Sequence, residues 1–302
     1  MAISRILRSF IWRIWKITFP FWQRLGLHVV PNHYNYPLPD IRGLRDDLWS
    51  RHSELPGINM NVENQIRLLS RFTYIRPEYD GLPKEKTAIP HQYYINNGTF
   101  AAVDGEISYC MIRYFKPKIF FEIGAGNSTY LAAQAIVKNQ EAEGVECELI
   151  ACEPYPDNIL KRGFPGLSRL IPSKVQDVPL AEFNRLQEND ILFIDSSHAL
   201  YTGSDVQYEF LELLPRLNRG VIVHVHDIFL PAEYPRDLIM DKYCFFNEQY
   251  LLQAFLTFND TFEILWAGRF MHLRHPEKLS VAFSSYEQNP AWPVSLWMRK
   301  MK

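Results

Sequence analysis

Lys118-Ile-Phe-Phe-Glu-Ile-Gly-Ala-Gly-Asn-Ser-Thr-Tyr130 is the stretch on which the fold of this chain turns. Ile119, Phe120, Phe121 and Ile123 make an apolar run suited to a strand buried on both faces of a parallel sheet. The run breaks at Gly124-Ala-Gly126. Asn127-Ser128-Thr129 then offers helix-capping side chains ahead of an apolar-rich segment, Tyr130 to Val137. Strand, glycine turn and helix start together bring a ligand against bare backbone at a helix N-terminus. A Cβ on either glycine is expected to hinder that approach.

Outward from this stretch the chain alternates in period. Upstream, Asp104 to Phe115 reads as a helix that Pro117 stops. Downstream, strands are expected at Glu148–Cys152, Arg169–Ile171, Asp190–Asp195 and Val221–Val225, with a helix over 204–217. A helix from about Asn247 to Phe258 and strands at Phe262–Trp266 and Val294–Met298 complete the pattern. This alternation predicts an α/β, doubly wound, mostly parallel seven-stranded sheet with an N-terminal helical extension. Ligands in such sheets bind beyond the C-terminal strand ends. The chemistry is therefore expected at Gly124, Glu153, Asp177, Asp195 and Asp227.

An acid ending the second strand, Glu153, can accept hydrogen bonds from both ribose hydroxyls of a nucleotide-like cofactor. Asp195-Ser-Ser-His198 and His224-Val-His226-Asp227 follow two neighbouring strands. Oxygen ligands at Asp195 and Asp227 suit a hard divalent ion such as Mg²⁺. His198 can face the same cleft, and an imidazole is a usable base at neutral pH. His226 reads as a further metal ligand or as its hydrogen-bonding neighbour. His224, inside the strand, reads as structural.

The glycine loop in Phe121-Glu-Ile-Gly-Ala-Gly126, the acid Glu153 and the order of elements resemble the class I S-adenosylmethionine-dependent methyltransferases over roughly Asp104 to the C-terminus. The acid–x–x–base pattern after the fourth strand resembles the metal-assisted O-methyltransferases. Phe193-Ile-Asp-Ser-Ser-His198, Val225-His-Asp-Ile-Phe229 and Asn247-Glu-Gln-Tyr-Leu-Leu252 resemble a largely uncharacterised bacterial branch of that superfamily. The resemblance implies that Glu122, Gly124 and Gly126, with Asn127 and Ser128, line the methionine part of S-adenosyl-L-methionine. It implies that Glu153 holds the ribose and that Gln176, Asp177 and Val178 lie beside the adenine. It further implies a divalent cation at Asp195, His226 and Asp227, and His198 as base. The loop departs from the family pattern in lacking a third glycine. The His226-Asp227 pair stands where metal-dependent relatives carry two oxygen donors. The implied reaction is O-methylation of a hydroxyl on a sugar, glycolipid or secondary metabolite. The alternatives are a metal-dependent hydroxylase or hydrolase on the same fold, or a non-catalytic membrane-peripheral cofactor-binding protein.

Residues 1–27 stand apart. Ile3, Ile6, Leu7, Phe10, Ile14, Ile17 and Phe21 recur at helical spacing among Arg5, Arg8, Arg13, Lys16 and Arg24, without an acid. Trp12, Trp15 and Trp22 add aromatics suited to an interface. This basic amphipathic helix suits either a membrane surface or packing on the protein itself or a second subunit. Residues 28–90 read as a Pro-rich and helical cap with a helix over Val62 to Tyr79, and 91–302 as the methyltransferase domain. The net charge of −2 implies no global attraction to nucleic acid. The four cysteines lack CxxC spacing, which favours reduced thiols and a cytoplasmic protein, with the inner membrane face as a site of contact. No run of about 18 uncharged apolar residues is present to cross a bilayer. The aromatic segment 228–250 is expected to wall the acceptor site, and a homo-oligomer is compatible with the sequence.

Overall fold

The computed structural model describes residues 5–287 and 292–302; Ile3 lies outside them. The chain forms two compact units. One comprises Met1–Ser50 with Arg236–Phe245, the other Arg51–Pro235 with Phe246–Lys302.

The first unit is built on helix α1 (Arg5–Arg24). Two faces of this helix carry apolar side chains with different fates. Trp12 and Trp15 turn toward the returning segment. Trp12 sits against His33 at 5.5 Å and Tyr36 at 6.0 Å, and Trp15 donates from Nε1 to the Val29 carbonyl at 2.7 Å. Phe10, Ile14, Ile17 and Phe21 line the opposite side and stay exposed, Ile17 at 78%. The aromatics expected at an interface are thus partly spent on the protein's own packing, while the aliphatic stripe is not.

The second unit holds seven strands in the order β3-β2-β1-β4-β5-β7-β6. They are β1 (Ile119–Ile123), β2 (Glu148–Cys152), β3 (Arg169–Ile171), β4 (Ile191–Ile194), β5 (Ile222–Val225), β6 (Phe262–Ala267) and β7 (Leu296–Lys300). All pairings among β1 to β5 are parallel, and β7 runs antiparallel between β5 and β6. Alternation along β1 explains the apolar run. Phe120 faces one side of the sheet, packing with α3 (Asp104–Phe115) and α4 (Asn127–Glu143), and Phe121 and Ile123 face the other. Burying each such ring contributes about 1.5–3 kcal/mol.

Two departures from the sequence reading have clear causes. The helix expected over 62–79 is α2 (Val62–Arg71), a tighter turn at Phe72–Ile75 and one further turn at Arg76–Tyr79, where Pro77 cannot donate to the ladder. Its apolar side chains Phe72, Ile75 and Tyr79 are buried with the sheet's own core. After α5 (Glu248–Leu256), two helices separate β6 from β7 where none was foreseen: α6 (Gly268–Arg274) and α7 (Pro276–Ala282). Pro276 starts the second and interrupts any continuous helical period across the pair.

Candidate active site

The sheet changes direction of growth between β1 and β4, and the site lies there. β2 and β3 build outward on one side of β1, β4 and β5 on the other, so the loops after β1 and β4 part and leave a crevice. Gly124 is what lets the two strand ends close up behind it. Its φ is +82°, and a Cβ would stand 1.9 Å from the Asp195 carbonyl oxygen. Gly126 is different: its backbone is extended, and a Cβ there meets nothing within 4 Å. The clash expected of both glycines is thus with the protein at Gly124, while Gly126 faces open space at the start of α4. Gly126 itself occupies the cap position, and its N–H donates to Thr129 Oγ1 at 3.0 Å.

A cavity of about 430 Å³ opens beside this loop. Gly124, Glu153, Gln176, Asp195, Tyr201 and Asp205 are among its walls. Glu153 is held by the backbone, Oε1 accepting from Tyr155 N at 2.7 Å and Oε2 from Ala125 N at 3.3 Å. Gln176 donates to the Gly203 carbonyl at 3.0 Å. Its neighbours do not share this place: Asp177 is not a wall residue, and Val178 is buried in the core. Asn127 donates to Thr99 Oγ1 at 2.9 Å. Ser128 is buried and donates to Glu122 Oε1 at 2.6 Å, beneath the loop. Burial pushes Glu122 up to about 8, Ser128 offsetting only part of that, so the carboxyl is largely neutral at pH 7.

Asp195, His198 and Asp227 converge. His198 Nε2 lies 3.3 Å from Asp195 Oδ1 and 3.4 Å from Asp227 Oδ2, and one donor atom from each of the three residues falls within 4.8 Å of the others. His198 and Asp227 both sit in the left-handed backbone region, at φ +58° and +53°. Such strain costs on the order of 1–3 kcal/mol per residue and gathers at functional sites. Partial burial raises the Asp195 pKa, but the His226 and His198 imidazoles outweigh it and hold the carboxyl at about 2. Burial lowers His198, yet the carboxylates of Asp195 and Glu248 drive it well above the ordinary histidine value.

His226 lies behind this cluster, 2% exposed. Its Nδ1 is 3.6 Å from Asp195 and 3.7 Å from Asp227, and its Nε2 is 3.7 Å from Asp104. Burial lowers its pKa and the surrounding carboxylates reverse this, raising it to about 9. His224 is stacked on Phe193 at 3.8 Å inside the sheet.

The family model for a methyltransferase domain matches residues 121–228, the span from β1 to the loop after β5. An uncharacterized protein of Archaeoglobus fulgidus is 31% identical over 176 residues, covering 56% of this chain and 78% of that protein. Over residues 121–228 the chain carries a methyltransferase domain. Solved structures similar to this methyltransferase include the apo-structure of CmcI-N160, at TM-score 0.37 and 14% identity over 67% of this chain and 72% of that one. Another is an O-methyltransferase from Bacillus cereus in complex with SAH, at TM-score 0.37 and 12% identity over 78% and 91%.

Three residues of the methyltransferase's site were not singled out from sequence. Glu248, 1% exposed at the start of α5, places Oε2 at 2.9 Å from His198 Nδ1, within hydrogen-bond distance. Glu209 accepts from Ser196 Oγ at 3.0 Å, and burial together with the charge of Glu248 raises its pKa well above the carboxylate range. Asp104 opens α3 and ties down the start of β7 by accepting from Val294 N at 2.8 Å and Ser295 N at 3.0 Å. An acid in the first turn of a helix usually marks only the helix dipole, so local sequence carries no sign of these roles. Of the aromatic segment after β5, Phe229 and Tyr234 are buried, while Phe246 is half-buried against the His198 ring at 4.8 Å.

Proposed function

We propose that this methyltransferase methylates a hydroxyl on a sugar, glycolipid or secondary metabolite, with His198 receiving the proton. The observation that carries the reading is the convergence of Asp195, His198 and Asp227 beside the cavity at the strand crossover. S-adenosylmethionine supplies a methyl group already activated on a sulfonium. The residues fit it: Glu153 offers carboxylate oxygens to ribose hydroxyls, Gly126 leaves its side of the helix start open, and Gln176 lies farther along the same wall. Holding donor and acceptor in line is the main task, and such orientation contributes about 7–11 kcal/mol. In its neutral form His198 accepts the hydroxyl proton at Nε2 as the oxygen bonds to the methyl carbon and the carbon–sulfur bond breaks, the thioether S-adenosylhomocysteine leaving.

The donor set also fits a divalent cation such as Mg²⁺ or a softer ion. Asp195 and Asp227 would hold it through oxygen, with His226 Nδ1 close behind both. When bound, such an ion would lower the pKa of an acceptor hydroxyl and would offset the carboxylate charge around His198.

The exposed face of α1 supports a reading in which the protein meets its acceptor at an anionic membrane surface. Phe10, Ile14, Ile17 and Phe21 are exposed alongside Arg13, Lys16 and Arg24, and no acid lies in the helix. Each basic residue near such a surface contributes about 1 kcal/mol, so the contact is reversible. Ile17→Glu should release the protein from phosphatidylserine vesicles in co-sedimentation; unchanged sedimentation would remove the membrane from this reading.

The reaction is tested by calorimetry with S-adenosylmethionine and by labelled-methyl transfer to a panel of hydroxylated glycans, glycolipids and phenols. Binding of S-adenosylmethionine is expected, together with an O-methylated product that His198→Ala abolishes while still binding the cofactor. No heat with S-adenosylmethionine, or transfer to nitrogen or carbon alone, would overturn it.

A further inference from the structure

The first turn of α5 contributes three consecutive side chains, Asn247, Glu248 and Gln249, each of which reaches a different part of the site. Asn247 Oδ1 accepts from Leu200 N at 2.5 Å, and its Nδ2 donates to the Leu200 carbonyl at 3.3 Å. Gln249 Oε1 accepts from Phe229 N at 3.0 Å, in the loop after β5. Between them, Glu248 takes the His198 ring at Nδ1. The backbone joins in, with the N–H groups of Asn247 and Glu248 donating to the His198 carbonyl at 3.1 and 3.3 Å. One helical turn thus clamps the loop after β4 to the loop after β5, with His198 at its centre.

We propose that Glu248 is the positioning residue of His198: it fixes the proton on Nδ1 and aims Nε2 at the space between Asp195 and Asp227. Burial raises the Glu248 pKa while the hydrogen bond to His198 pulls it back, and in the ionised form that this bond favours the carboxylate can only accept, so Nδ1 donates. His198 carries a positive φ, so its loop needs external contacts to hold one geometry. Glu248 is almost wholly buried, so water does not compete for the bond. The inference rests on His198 being the proton acceptor, but its test needs no methyl acceptor.

The test is proton NMR of the full-length protein labelled with ¹⁵N-histidine. A strongly deshielded ring N–H, slow to exchange with water, is expected for His198 and is assigned by its absence in His198→Gln. Glu248→Ala should remove that resonance. Glu248→Gln, whose amide oxygen still accepts, should keep it at a smaller shift. Calorimetry with S-adenosylmethionine on each variant should give dissociation constants within about twofold of the parent, roughly 0.4 kcal/mol. Persistence of the resonance in Glu248→Ala would refute the assignment. Its loss in both variants, with cofactor binding intact, would also refute it, because the conservative change should rescue the bond. Failure of the parent to bind S-adenosylmethionine would instead strike at the proposed reaction and leave the ring geometry to be read separately.

Discussion

Replacing Gly124 by alanine should damage the protein far more than replacing Gly126, although the two stand in one short motif. At φ +82° the alanine pays the left-handed penalty of about 1–2 kcal/mol. Its Cβ would also lie 1.9 Å from the Asp195 carbonyl oxygen and 2.8 Å from the carbonyl carbon. That overlap is with backbone, and relieving it costs about 1–3 kcal/mol. The sum is roughly 2–5 kcal/mol. Relief must also shift Asp195, whose amide donates to the Ile123 carbonyl at 2.9 Å. Gly124→Ala is therefore expected to lose divalent-ion and cofactor binding along with stability. In Gly126→Ala the backbone is extended and nothing lies within 4 Å. Exchanging glycine for alanine at a cap costs less than about 1 kcal/mol, so this variant should fold normally and lose affinity only for a ligand passing over the helix start. Urea unfolding followed by tryptophan fluorescence measures the first effect, and calorimetry with S-adenosylmethionine the second. Equal stability of the two variants would refute the account of the loop.

Further outcomes follow from the same geometry. Burial raises Glu122 from 4.5 to about 8. A raised folded-state pKa gives stability that is full below the unfolded value and is lost as pH climbs through about 8. Glu122→Gln should therefore flatten the decline in thermal midpoint between pH 6 and 9 and leave the variant more stable than the parent at pH 9, by on the order of a few kcal/mol; an unchanged slope would refute the buried neutral carboxyl. Asp195→Asn and Asp227→Asn should each weaken Mn²⁺ binding at least about tenfold, roughly 1.4 kcal/mol, as read by electron paramagnetic resonance; equal affinity in either would remove that carboxylate from the proposed cation site. Glu153→Ala should weaken S-adenosylmethionine by a similar factor in calorimetry, since a charged acceptor for two hydroxyls is lost; unaltered affinity would free Glu153 from the ribose.

The strands were legible because a strand buried on both faces must be apolar at every position, and that signal is local. β1, β2 and β3 and the helix at Asp104–Phe115 have the limits expected from sequence. The acids at strand ends were legible for a related reason: a charge directly after an apolar run must leave the core there. The helix pair α6 and α7 was not, since Pro276 masks its period.

Chain order and local chemistry indicated a doubly wound sheet and acids at its strand ends, and, with the family resemblance, an expected ligand loop at Gly124 and a cleft with Asp195, His198 and Asp227. What those residues do to one another was decided by tertiary structure. Gly124 and Gly126 are interchangeable in sequence, yet only one faces a neighbouring strand's carbonyl. Asp177 and Val178 follow Gln176 directly, yet the turn there leaves only Gln176 on the cavity wall. Glu248 lies 50 residues from His198, and no local pattern can report a contact made when β4, β5 and α5 come together. Hydrogen bonds act over about 3 Å and buried charges shift one another most strongly within about 4–6 Å, so their partners exist only once packing has set the distances between segments far apart in the chain.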